Sequence, residues 1–460
     1  MSAPASAPIS VREKIGYGLG DTASNFVFHT VNVFLFYYYT DVFGLAPAVV
    51  GTLALVARIF DAVSDPLMGA MADRTQTRWG KYRPYLLWVA VPFGILGYLL
   101  FLGPELSDSG KAWYAYVTYV GMMLIYTAIN IPYSALMGVI SSSSEQRTSL
   151  SAYRFVFAFG GQFLIATATL PLVAYFGGGN EAAGFRTTMG IFAVIAVVLF
   201  VICFATTRER VTPPPSQQSD LKAELKLLFK NGPWKVMSIA GIMTLANVAV
   251  RGAVTVQFFK YVVQDDGSPW LFGFSMTTIF FSSGTLAMIV GSALTPWLAK
   301  LAEKRTLMIW LSLGNAVAIG SLFFIPPEQA TLMLVINIIG TVIVGPTPAL
   351  VWAMFSEAAD YNMWKLGRRM TALTFSSAQF AQKMGLAIGS FIPGMVLAAT
   401  GFVSNAEQTA ESLMGLNLLF TIIPALFAIG SVVAIWFYPL REVDVQQMER
   451  DLTAQAEQQG

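Results

Sequence analysis

Residues 46–83 read APAVVGTLALVARIFDAVSDPLMGAMADRTQTRWGKYR, an apolar run that carries two acids, Asp61 and Asp65, and ends against a basic loop. The stretch from Ala46 to Met71 is long enough to cross about 30 Å of bilayer hydrocarbon as a helix. A charge near the bilayer centre costs about 2.5–3.5 kcal/mol on insertion scales. Acids at that depth therefore face a protein interior or a wet path, and they mark where ions or protons travel. The four-residue spacing puts Asp61 and Asp65 on one helix face, one turn apart.

The rest of the chain is of the same kind. Of 460 residues, 55% are hydrophobic and 12% charged, and the mean hydropathy is +0.61, which predicts a polytopic membrane protein. A net charge of +2 gives no nucleic-acid surface. The single cysteine, Cys203, excludes an internal disulfide and a cysteine-rich metal site, and the single histidine, His29, leaves zinc almost without ligands. The first ten residues are polar and lack the features of a signal peptide, so the first helix is expected to stay in the mature protein.

Apolar segments near 21–42, 46–71, 85–102, 113–140, 149–176, 187–204, 236–263, 272–298, 307–325, 331–355, 372–399 and 413–437 predict an all-α membrane protein of twelve transmembrane helices in two six-helix halves. Basic residues cluster in alternate loops, at Arg74, Arg78, Lys81 and Arg83, at Arg147, and within 208–235, 300–305 and 365–369. The positive-inside rule then makes those loops and both termini cytoplasmic. The expected divisions are an N-terminal half at 1–206, a cytoplasmic linker at 207–233 containing Pro213 to Pro215, a C-terminal half at 234–440 and a polar tail at 441–460. Within the linker, Leu221 to Phe229 reads as a short surface helix. Pro132–Leu150 and Pro348–Leu373 share an order of features, as parallel repeats with a substrate site between halves would.

The third, sixth, ninth and twelfth segments hold no charged residue in their apolar interiors, so they are expected to face lipid. Others carry polar stripes at helical period: Asp21, Asn25, His29 and Asn32; Thr244, Asn247, Arg251 and Thr255; Ser376, Gln379 and Lys383. Arg154 and Gln162 share a face of the fifth segment, and Tyr126, Thr127, Asn130, Tyr133 and Ser134 form a polar patch on the fourth. Such stripes face one another across a hydrated cavity or pack in a dry bundle. The charged set, Arg58, Asp61, Asp65, Arg154, Arg251 and Lys383, favours the cavity, because burying so many charges only breaks even with unusual pairing. Arg58, three residues before Asp61, reads as a partner for that acid. Asp21 reads as a helix-start residue, and His29 as either a cavity liner or a satisfied interior imidazole.

The segment RIFDAVSDPLMGAMADRTQTRWGKYRP, with IGYGLGDTASNF and FYYYTDVFGL before it and NIPYSAL, SAYRF, SEAADYNMW and AQKMG after it, resembles the glycoside-pentoside-hexuronide:cation symporters, the melibiose permease-like family. The resemblance covers both halves and implies a major facilitator fold. It implies that Asp61, Ser64, Asp65 and Thr127 bind the coupling cation, and that Asp73, Arg74, Lys81 and Arg83 latch cytoplasmic helix ends during gating. Two carboxylates with hydroxyl oxygens suit Na⁺, and a carboxylate of raised pKa carries H⁺ equally well. Ser64 stands where sodium-using members have asparagine. The sugar-pocket arginine of the family matches Arg154, and the lysine of its eleventh helix matches Lys383. Asn25 and Asn130 stand where melibiose permease has acids, and Ser134 where it has tryptophan, so melibiose itself is not the expected substrate. Amides still serve sugar hydroxyls.

The expected substrate set is Asn25, His29, Asn130, Arg154, Arg251, Gln379 and Lys383, with Trp352 and Tyr133 as candidate stacking surfaces. The expected function is symport of a glycoside, a pentoside (xyloside) or a hexuronide (glucuronide), with Na⁺ or H⁺ and no other cofactor. The expected setting is a bacterial inner membrane, with the protein working as a monomer. A more positive cavity would admit a hexuronide carboxylate, whereas Asp61 and Asp65 balancing the bases would leave a neutral xyloside. The alternatives are a lysolipid carrier, a drug/proton antiporter and a non-transporting sensor. An enzyme is disfavoured, since no nucleophile with a base, metal cluster or phosphate loop stands in the loops.

Overall fold

The computed structural model describes residues 9–141, 143–211, 221–367 and 370–459. The N-terminal helices are α1 (Val11–Tyr37), α2 (Pro47–Arg74), α3 (Arg83–Trp88), α4 (Ala90–Leu99), α5 (Asp108–Ile140), α6 (Ser144–Gly177) and α7 (Glu181–Thr206). A short helix, α8 (Leu221–Leu228), follows at the expected surface-helix position. Then come α9 (Gly232–Gln257), α10 (Met276–Ala293), α11 (Thr295–Leu298), α12 (Lys304–Ser321), α13 (Ala330–Val344), α14 (Thr347–Leu366), α15 (Thr371–Ala399), α16 (Ala410–Phe420), α17 (Ile422–Trp436) and α18 (Glu442–Gln459). Pro213 to Pro215, Arg368 and Arg369 lie outside the described residues.

Each expected apolar segment falls on helix. Ten helices are long and apolar enough to cross a membrane among the described residues, and Arg83–Leu99 is a shorter apolar one. The fold is all-helical. Helix starts follow capping chemistry: the side chains of Ser10, Ser107, Asn180 and Asn231 each accept from a backbone N–H three residues on, satisfying donors that the first turn leaves orphaned. The Ser10 cap begins α1 at Val11, so Asp21 stands well inside the helix and is not a helix-start residue. The polar opening Arg12-Glu13-Lys14 hides that first turn from a hydropathy reading. α1 and α9 both run on into a π turn, at Tyr38–Val42 and Phe258–Val263.

The chain forms two compact units. One comprises Met1–Pro215, Asp266–Thr285 and Phe402–Glu407, the other Ser216–Asp265, Leu286–Gly401 and Gln408–Gly460. In the first, α1 packs against α6 and α7, and α2 lies along α5. In the second, α9 packs against α15, α17 and α14, around a core that includes Trp234, Met237, Met354, Phe355 and Tyr438. Large apolar side chains are exposed on α4 (Val91, Ile95), α7 (Val194, Val198), α12 (Trp310, Val317) and α17 (Leu426, Val433), a surface that lipid tolerates and water does not. The tail after Arg441 forms α18, which packs on α14 through a Trp364 Nε1–H donated to Asp451 Oδ2 at 2.8 Å.

Candidate functional site

The contact of α2 with α5 brings the two acids to one hydroxyl. Thr127 Oγ1 lies 2.9 Å from Asp61 Oδ1 and 3.1 Å from Asp65 Oδ1. Ser64 Oγ lies 3.2 Å from Thr127 Oγ1 and 3.0 Å from the Asp61 carbonyl oxygen. Asp61 is fully buried, while Ser64 and Asp65 are half-buried. All four residues expected at the cation site therefore converge. A hydroxyl has one proton and can donate to only one carboxylate at a time, so two acids compete for it. The donor set is oxygen only, as a hard monovalent cation or a shared proton requires.

The Arg58 guanidinium donates to Asn32 Oδ1 on α1 and lies 5.1 Å over the Phe28 ring, which itself stacks on Tyr126 at 4.1 Å. The arginine thus ties α1 to α2.

A second polar cluster joins α1, α5 and α6. Arg154 Nε lies 2.5 Å from Asp21 Oδ2, and its Nη2 lies 3.4 Å from both Asp21 Oδ1 and Ser134 Oγ. The guanidinium sits 5.1 Å over the Tyr133 ring. Tyr133 stacks on Tyr17 at 4.8 Å and donates its hydroxyl to the Tyr17 carbonyl at 2.7 Å. Tyr133 is wholly buried, so it is a wall of the cluster and offers no stacking face to a sugar. Gly20 makes this close approach possible, since a Cβ there would lie 2.4 Å from the Tyr133 ring. Asn25 donates to the Asp21 carbonyl at 2.9 Å and Asn130 to the Tyr126 hydroxyl at 3.2 Å. Both amides, like His29, remain half-buried.

In the second unit, Arg251 lies 4.6 Å over the Phe420 ring. It lines a pocket of about 10 Å³ with Asn315, Asn337 and Thr341, room for about one water. On α15, Gln379 is exposed and Lys383 half-buried. Trp352 stacks on Phe375 at 6.0 Å against the core of its unit, so one of its faces is already covered.

The basic loop after α2 is held by an acid that the motif reading passes over. Glu209 accepts from three successive backbone N–H groups, those of Lys81, Tyr82 and Arg83, at 2.9, 2.7 and 2.9 Å. Gly80 has φ +111°, and a Cβ there would come 2.4 Å from the Glu209 carboxylate. Tyr82 donates its hydroxyl to Asp73 Oδ1 at 2.6 Å. Burial pushes the Tyr82 phenol up, and its bond to Asp73 adds to the shift, so it keeps its proton at physiological pH. Arg83 donates to the Phe204 carbonyl at 2.7 Å and lies over the Phe204 ring at 4.8 Å. Lys81 contributes its backbone, and the Arg74 side chain is exposed. A second acid, Glu13, receives both Arg210 Nη atoms at 2.7 and 2.8 Å and the Arg208 N–H at 3.0 Å. Glu209 and Glu13 are legible in the sequence only as acids in or near arginine-rich runs, and counting basic residues for topology obscures them.

Comparison with known proteins fits this arrangement. The family described as MFS/sugar transport protein matches residues 16–442. The chain is 37% identical to the putative glycoside/cation symporter YagG of Escherichia coli (strain K12), over 98% of this chain and 97% of that protein. It is 35% identical to the isoprimeverose transporter of Lactiplantibacillus pentosus, over 97% of this chain and 94% of that one. In fold it is similar to the crystal structure of a mutant of the nucleoside transporter NupG, with a TM-score of 0.69 at 12% identity, covering 92% of this chain and 99% of the other. The chain therefore belongs to the MFS/sugar transport protein family, as a multi-pass membrane protein of the glycoside-pentoside-hexuronide:cation symporter group.

Proposed function

We propose that this protein is a secondary active transporter of a bacterial inner membrane that moves a glycoside, a pentoside or hexuronide, together with Na⁺ or H⁺ by alternating access. The observation that carries the reading is the Thr127 hydroxyl shared between Asp61 and Asp65. A cation or a proton held between two carboxylates offsets their mutual repulsion. Loading the site locks α2 to α5, the step that prepares the neighbouring polar patch of Asn25, Asn130 and Arg154 for sugar. Coupling is reciprocal, so sugar tightens cation binding by the factor by which cation tightens sugar binding.

Twelve spans with both termini cytoplasmic, six in residues 1–206 and six in 234–440, complete the reading, and the protein works as a monomer. Lys81, Arg83, Asp73 and Arg74 serve the gate, and Arg251, Gln379 and Lys383 are assigned to substrate. The names of the relatives, a glycoside/cation symporter and an isoprimeverose transporter, support a hydroxyl-rich solute over a lysolipid or a drug. Asp65→Asn tests the cation assignment: the variant is expected to bind sugar yet lose cation-driven accumulation. Normal accumulation by well-expressed variant protein would refute it.

A further inference from the structure

The turn from α8 into α9 gathers exposed bases around an exposed aromatic ring. Leu225, Lys226, Phe229, Lys230 and Lys235 are all exposed there, and Phe229 leaves 62% of its surface uncovered. From Leu225 to Gln264 the chain holds no acid. None of the three lysines enters an ion pair among the described residues. The patch is held firmly from behind. Leu228 is wholly buried in the core of its unit. Asn231 caps α9 by accepting from the Trp234 N–H at 2.8 Å, while its amide donates to the Ala358 carbonyl at 2.6 Å and to Asn362 Oδ1 at 2.8 Å. The Trp234 ring meets Phe229 edge-on at 5.5 Å.

The neighbours of the patch indicate what it faces. A Cβ on Gly232 would lie 3.5 Å from Pro439 Cγ, so the start of α9 adjoins the end of α17. There Trp436 and Phe437 are exposed, as aromatic residues are at a membrane interface. Arg305 donates to the Trp436 carbonyl and adds a fourth base. The acids that follow are engaged: Glu442 lies 3.8 Å from Lys304, and Asp444 accepts the Arg441 N–H at 2.9 Å. α9 is long and apolar enough to cross a membrane, so bases at its start stand at headgroup depth.

From this we infer that the α8–α9 junction binds the headgroup of an anionic phospholipid, with Lys226, Lys230 and Lys235 on its phosphate and Phe229 and Leu225 among its acyl chains. Ammonium groups attract phosphate as point charges. The apolar ring between them favours a lipid over a free anion, which has no hydrocarbon to offer, and the adjoining interfacial aromatics favour it over an acidic soluble protein. Each lysine near an anionic membrane surface contributes about fivefold in affinity. The junction shares no residue with the cation or sugar sites, so the inference stands whichever glycoside is carried.

The test is native mass spectrometry of the detergent-purified full chain, titrated with phosphatidylglycerol or with phosphatidylcholine of the same acyl chains. Wild-type protein is expected to hold phosphatidylglycerol at least tenfold more tightly. Lys226→Gln/Lys230→Gln should lose at least tenfold in affinity for phosphatidylglycerol with little change for phosphatidylcholine, and Phe229→Ser should weaken both. Arg12→Gln/Arg78→Gln removes the same charge from exposed positions of the other unit and should bind as wild type does. Equal affinity of wild type for the two lipids would overturn the inference. So would a Lys226→Gln/Lys230→Gln protein of normal thermal unfolding that keeps the wild-type preference, or an Arg12→Gln/Arg78→Gln protein that loses it equally. Displacement of phosphatidylglycerol by inorganic phosphate alone would mark a free-anion site and overturn the lipid assignment. If Lys226→Gln/Lys230→Gln does not fold, Lys235→Gln decides in the same titration, by a loss of about fivefold or by none.

Discussion

Thr127 is the residue on which the proposed cation site turns, because its hydroxyl is in bonding reach of Asp61, Asp65 and Ser64 at once. A hydrogen bond to a charged group contributes about 1.5–3 kcal/mol, and each 1.4 kcal/mol is roughly a factor of ten in affinity. Thr127→Val should therefore weaken cation binding by about tenfold or more, whereas Thr127→Ser should stay near wild type. Cation titration of purified protein by calorimetry checks this, and equal affinity for the two variants would remove Thr127 from the site. This quartet is legible in the sequence because its residues sit in a motif, RIFDAVSDP, and at a marked helix position. The pairing of Asp21 is not, since its partner Arg154 is 133 residues away. Tyr133 looks like a sugar-stacking ring in sequence because its partner Tyr17 lies 116 residues away, and nothing in the local sequence shows that Gly20 admits the ring against α1.

Among the elements, the loop between α2 and α3 is the clearest mechanical part. Its chain turns through Gly80 and presents three N–H groups to Glu209, which stands just beyond α7. The clamp thereby joins the chain just beyond α7 to the start of α3. Glu209→Gln removes the charge but keeps an acceptor, and is expected to slow transport severalfold while leaving sugar affinity near wild type. Transport rate and binding measured on the same preparation decide, and a parallel fall in both would assign Glu209 to folding. Gly80→Ala should do more harm, since the left-handed backbone and the Glu209 carboxylate both exclude a Cβ; a melting temperature at or above wild type would contradict the clamp. The existence and type of the long helices are readable from hydropathy alone. Their interruptions are not: the break between α3 and α4 at Val89 and that between α13 and α14 at Gly345–Pro346 lie inside runs that look uniformly apolar.

At the scale of the whole molecule, composition alone places the chain in the membrane, and motifs in both halves place it in its family. The matching π turns that end α1 and α9 add to the sequence likeness of the halves and fit a parallel repeat. Substrate charge is the property that sequence leaves open. Counting Arg154 and Lys383 without their partners suggests a positive cavity, and pairing Arg154 with Asp21 takes away the first of these charges. The proposed function requires the acid pair at Thr127 to couple glycoside movement to a cation. It is tested most directly by following labelled p-nitrophenyl β-xyloside into membrane vesicles under an imposed Na⁺ gradient and, separately, an imposed pH gradient. Accumulation above the external concentration under one of the two gradients, abolished in Asp65→Asn, is the predicted result. Vesicles holding folded protein that only equilibrate the xyloside under both gradients, or that accumulate it equally in wild type and Asp65→Asn, would contradict the claim.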